Sequence, residues 1–194
     1  ENLEEARGLD NSTVYEWWPA AASWSYIGLN TREGYPTGDV HVRRGINYAV
    51  DKQLLTDEVM LGQAKRLCSI FPETSWAYSD DVECYPYDPE QAIAEFEMAG
   101  YTYDAASNQM LSADGEQLEL QLLFGPNTSQ TRELIAVSVQ DFLREIGVDV
   151  QIQALEWASF LDATDAVEPE WDLFVGGWRA TIEPHIMYTI WAEE

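Results

Sequence analysis

Few side chains in this 194-residue chain are suited to covalent or acid–base chemistry. Its two histidines, His41 and His185, stand far apart in sequence. Apolar spacing puts His41 on the exposed side of a helix, while His185, just after Glu183-Pro184, reads as a helix-start residue, a ligand contact or a metal ligand. A metal centre needs three or four converging donors, and no second histidine or cysteine neighbours His185. Asp and Glu number 35, so pairs spaced for glycoside hydrolysis mean nothing without geometry. There is no Gly-x-Ser-x-Gly elbow and no phosphate-cradling glycine loop, and Gly176-Gly177 reads as a strand turning beside a close backbone approach. No catalytic residue, metal site or cofactor is expected.

Cys68 and Cys84 enclose a loop rich in Pro, Ser and aromatics. That is the setting of a disulfide in an oxidising compartment, with two free thiols as the alternative. Against 35 acids stand 10 Lys and Arg, a net charge of -25. Such a chain repels nucleic acid and is not drawn to an anionic membrane surface. The acidity is either a solvated surface or a field that attracts a cationic ligand. No stretch reaches the roughly 18 apolar residues needed to cross a bilayer, so this segment is not expected to insert in a membrane. The chain starts without Met and stops within an aromatic stretch, Ile190-Trp191-Ala192-Glu193-Glu194, which suggests a piece of something longer.

The elements that would position these residues are well signalled. Residues 1–22 read as a polar lead-in ending in the aromatic cluster Tyr15-Glu16-Trp17-Trp18-Pro19. Ser23 to Asn30 is an aromatic strand, and Val42, Ile46, Ala49 and Val50 mark one buried face of a helix capped by Asp39. Asp51 caps a second helix with Leu54, Leu55, Val59 and Met60 on its buried side and Gly62 at its end. After a long loop, Asp88-Pro89 starts a helix with Gln91 completing a capping box, an apolar stripe of Ala92, Ile93, Phe96 and Ala99, and Gly100 as terminator. Residues 102–115 form a polar excursion with a turn at Asp114-Gly115. Gln117 to Leu122 alternates as a strand. Ile135, Val139, Phe142, Leu143 and Ile146 stripe a long helix, and Val148 to Ile152 alternates again, a strand–helix–strand crossover onto a parallel pair. A short helix from Glu156 and the strand Trp171 to Trp178 follow.

Several of these segments resemble the family 5 extracellular solute-binding proteins, the oligopeptide and dipeptide receptors of ABC importers. The resemblance rests on the aromatic strand ending in Asn30, on Val42-Arg43-Arg44-Gly45-Ile46-Asn47-Tyr48-Ala49-Val50-Asp51, on Tyr85-Pro86-Tyr87-Asp88-Pro89, on Ala99-Gly100-Tyr101 and on the strand ending Gly177-Trp178. Gly45 departs from the alanine of the family pattern.

The resemblance implies an α/β fold, a mixed sheet with flanking helices forming a lobe of a type II periplasmic-binding-protein-like fold, with residues 23–194 a partial second lobe. It implies an extracytoplasmic binding component, anchored through a missing N-terminus, that captures a peptide or other small solute between two lobes and hands it to a membrane permease. An uncharacterised hydrolase or a structural interaction domain is the alternative. Trp24, Tyr26, Trp178 and Arg179 would supply the aromatic and polar groups of the binding edge. Peptide receptors of the family carry an aspartate after Gly-Trp that captures the ligand's ammonium. Thr181 stands at that place, which leaves Arg179 or Glu183 as the polar contact.

Overall fold

The computed structural model describes residues 8, 23–71, 73, 75–126 and 130–179. Trp17, Trp18, Thr181, Glu183 and His185 lie outside them, as does the side chain of Arg179. The framework is a four-stranded mixed sheet in the order β1-β6-β4-β5, where β1 is Ser23–Leu29, β4 Glu119–Phe124, β5 Asp149–Ala154 and β6 Leu173–Arg179. β4 runs parallel to β5 and to β6, and β1 is antiparallel to β6.

The crossover from β4 to β5 passes through α3, Thr131–Glu145. Its stripe of Ile135, Ala136, Val139, Phe142 and Leu143 is buried against Leu118, Leu120, Leu122 and Val150, and Gly147 at φ 81° ends the helical stretch. Two further helices, α1 (Val40–Ala49) and α2 (Pro89–Met98), complete this side of the core with Val42, Ile46, Ala92 and Phe96. The sheet's other face carries a smaller cluster of Leu123, Trp171 and Phe160, the last from α4 (Trp157–Thr164). Burial on both sides makes the central strand β4 apolar at consecutive positions, Leu122, Leu123 and Phe124.

Caps set the helix starts. Asp39 Oδ1 accepts from the His41 N–H (2.7 Å), Asp51 Oδ1 from Gln53 and Leu54 (3.0 Å each) and Asp88 Oδ1 from Gln91 (3.0 Å). The box at Asp88 is only half made, because its own N–H donates to Tyr48 O (2.9 Å) and so ties α2 to α1. Asn30, 1% exposed, ends β1 by donating its N–H to Asp172 O (2.9 Å) and its side-chain amide to Trp171 O (3.0 Å).

Five expectations need correction. Gly176 and Gly177 do not turn the chain, since β6 continues through both to Arg179 opposite Ser23. Residues 102–115 contain a hairpin, β2 (Thr102–Asp104) paired with β3 (Gln109–Leu111), whose Met110 is fully buried. Leu54 is exposed, and after the short turn Lys52–Leu54 the coil widens into a π-helical stretch, Leu55–Val59. The reach-back of Gln91 to Asp88 is replaced by the Tyr48 bond. His41 is not a bare surface group: its Nδ1 lies 2.8 Å from Oε2 of Glu95 on α2, an acid only 6% exposed. Cys68 and Cys84 are bonded, their Cα atoms 5.1 Å apart.

Candidate functional site

The chain leaves β4 toward β5 on one side, then returns from β5 past β4 to reach β6 on the other. Between β4 and β6 the connections therefore diverge, and open α/β sheets leave a crevice at the carboxyl ends of their strands at such a point. Here that place is bounded by Gly125 after β4, by Gly177 and Trp178 in β6, and by the start of β1.

Trp24 and Trp178 are directly paired across β1 and β6, with Trp178 37% exposed. Tyr26 pairs with Gly176 and shares that sheet face. A Cβ on residue 176 would lie 2.5 Å from the Tyr26 ring, so glycine there is what lets the tyrosine lie across its neighbour. The ring meets Phe174 edge-on at 5.8 Å. Burial pushes the Tyr26 hydroxyl above its ordinary pKa, partly opposed by the charge of Arg132, so it stays protonated at neutral pH.

Arg132 was not singled out by sequence, and it lies at the carboxyl end of β4. It is the second residue of α3; its Nη1 donates to Gly125 O (3.1 Å), and its guanidinium carbon lies 4.8 Å from the ring centre of Trp157. Its Nη2 is 3.7 Å from where a Cβ on Gly177 would be. Trp157 stacks on Phe160 (5.5 Å, 22°) and lies so close to Gly125 that a Cβ there would come within 2.8 Å of its ring. One cation thus touches the end of β4, the side of β6 and the start of α4. Among the described residues no carboxylate pairs with it. Trp24, Tyr26 and Trp178 thus share one face of the β1–β6 edge, and the backbone of Arg179 ends the outer pair. The only available signal for Arg132 was a base in a helix's first turn just after a strand, in a chain with 10 bases.

The family model described as bacterial extracellular solute-binding proteins, family 5 middle, matches residues 1–192. The chain belongs to this family. This family 5 chain is 31% identical over 153 residues to the dipeptide-binding protein of Escherichia coli K12, covering 79% of the chain and 26% of that protein. In structure it is similar to the oligopeptide-binding protein AppA of Bacillus subtilis, solved in complex with a nonapeptide (TM-score 0.75, 26% identity, 86% of this chain and 33% of that one). It is also similar to NikA from Brucella suis, solved in complex with Fe(III)-EDTA (TM-score 0.76, 28% identity, 88% and 34%). The family 5 chain spans about a third or less of each relative's length. Its mixed α/β architecture is that of periplasmic-binding-protein-like structures, and the Escherichia coli and Bacillus subtilis relatives are a dipeptide-binding and an oligopeptide-binding protein.

Proposed function

We propose that residues 23–194 are part of the second lobe of an extracytoplasmic receptor that holds a peptide or another small solute between two lobes and delivers it, chemically unchanged, to an ABC permease. The observation that carries this reading is the open aromatic edge at the strand switch point, Trp24, Tyr26 and Trp178, in a chain of this family. Aromatic walls with a few placed polar groups suit a ligand that is bound and released. Half a cleft suits a hinge-closing receptor, whose other wall comes from a second lobe. Among the described residues no helix is long and apolar enough to cross a membrane, so the permease would be a separate chain or segment. Relatives of comparable identity were solved with a nonapeptide and with Fe(III)-EDTA, which makes peptides and chelates the first solutes to test.

The test is a thermal-shift screen of the two-lobed protein with short peptides, sugars and metal chelates, followed by mass spectrometry of the recovered compound. A ligand that binds only the native state at a hundred times its Kd adds about 2.7 kcal/mol of stability. One class of solute should raise the midpoint and be recovered intact. Recovery of a cleaved product, or purification as a permanent complex with another protein and no response to any solute, would contradict the reading.

A further inference from the structure

We infer that Lys52 and Arg66 together form a binding site for a compact monovalent inorganic anion, of the size and charge of chloride, between the end of α1 and the disulfide loop. The site is separate from the solute edge and goes beyond the receptor reading. Tyr87, two residues after Tyr85, meets Phe142 and bonds Glu145 in the last turn of α3, the opposite end of that helix from Arg132. Lys52 Nζ donates to Asn47 O and Arg66 Nη2 to Tyr85 O, each at 2.6 Å. The two anchors are joined, because the ring of Tyr48, next to Asn47, meets that of Tyr85 edge-on at 5.1 Å. Cys68 lies two residues after Arg66 and Cys84 just before Tyr85, so their bond keeps Arg66 against the Tyr85 carbonyl and removes freedom that the base would otherwise lose on binding.

What this arrangement lacks is a counter-ion. Among the described residues no carboxylate pairs with Lys52 or Arg66, and the Nε of Arg66 is buried without a hydrogen-bond acceptor. Asp51, whose charge acts on Lys52, uses its Oδ1 on the N–H groups of Gln53 and Leu54. Two cations set together and a buried donor left unpaired both cost free energy, and one anion between them relieves both. Each base keeps more N–H donors than its single bond uses. Burial, then the charge of Arg66, lowers the Lys52 pKa to about 8, the direction expected of an amine beside a second cation with no anion between them. The net charge of -25 works against a polyanion such as phosphate, and the ring contact and the disulfide enclose the place, so a compact monovalent ion suits it best.

Competitive amine labelling of the two-lobed protein, with chloride exchanged for isethionate at constant ionic strength, tests this. Isethionate screens charge as chloride does but is too bulky for an enclosed site, so general screening cancels. In isethionate Lys52 should reach half its limiting reactivity near pH 8. Chloride should move that midpoint up by at least about half a pH unit, roughly threefold in protonation, levelling off as the site fills, while the exposed Lys65 stays unchanged. Chloride should also raise the thermal midpoint, since an ion that binds only the native state stabilises it. Arg66→Gln should lose both responses, and Arg66→Lys should keep part of them. The same Lys52 midpoint in the two salts, a shift that never levels off, or an equal shift at Lys65 would overturn the inference. So would an Arg66→Gln variant that keeps its thermal midpoint in isethionate and also keeps the full chloride response. If that variant does not fold, an undiminished chloride-dependent rise in the thermal midpoint of Lys52→Gln would overturn it.

Discussion

Lys52 shows how a single position departs from its textual neighbours. Its Nζ donates to Asn47 O (2.6 Å), and burial, then the nearby charge of Arg66, lowers its pKa to about 8, with Asp51 opposing. The folded state therefore binds fewer protons than the unfolded one between about pH 8 and the ordinary lysine value. Stability contributed by this group rises with pH across that window, and its full burial cost is present below it. The chain has one other lysine, Lys65, exposed and 3.0 Å from Glu73, so competitive amine labelling can follow each separately. Lys52 should reach half its limiting reactivity near pH 8; a midpoint above pH 10 would show that the amine is not buried as described. The residue scale is also where sequence reading was weakest. Glu95 falls on the buried face of α2, three residues after Ala92, but its partner His41 comes from another helix, and Arg132 belongs to no periodic pattern. A single polar group gets its role from a tertiary neighbour that sequence spacing does not reveal.

At the scale of elements the sequence was far more legible. The starts of α1 and α2 were marked by Asp39 and Asp88-Pro89, and the β4–α3–β5 unit by strict alternation around a striped helix. The β2–β3 hairpin escaped because three-residue strands are too short for alternation to show, and its turn uses Asn108 at φ 51° in place of a glycine. Gly45 tests the packing of α1 on α2. An alanine Cβ there would lie 2.7 Å from the buried Phe96 ring and 3.2 Å from Ala92 O, which belongs to a helix backbone and cannot easily yield. Gly45→Ala gains about 1 kcal/mol of helix propensity but incurs about 1–3 kcal/mol of overpacking, for a net loss of up to about 2 kcal/mol in urea unfolding. A net gain would mean that the two helices can move apart at no cost. Leu120, fully buried in the central strand, tests the sheet. Leu120→Asp should cost at least about 3 kcal/mol by the same measurement, whereas Gln151→Asp, on exposed β5 surface, should change little. Equal effects at the two sites would contradict the assigned faces.

Across the whole molecule the acidity, the disulfide and the open edge bear on where and how the chain works. The bond between Cys68 and Cys84 closes a loop of sequence separation 16, worth roughly 3 kcal/mol in the chain-entropy account, and such bonds persist outside the cytoplasm. Mass spectrometry of unreduced protein should therefore find neither cysteine alkylatable; two reactive thiols without reductant or denaturant would remove this support for an extracytoplasmic address. The account's central claim is that the paired edge of β1 and β6 is this lobe's share of a solute site, and calorimetry on the two-lobed protein carrying both Trp24→Ala and Trp178→Ala tests it most directly. With trialanine or Fe(III)-EDTA, whichever the unaltered protein binds, affinity should fall at least about tenfold while the thermal midpoint without ligand stays within a few degrees. Undiminished affinity in that double variant would place the solute elsewhere and contradict the account.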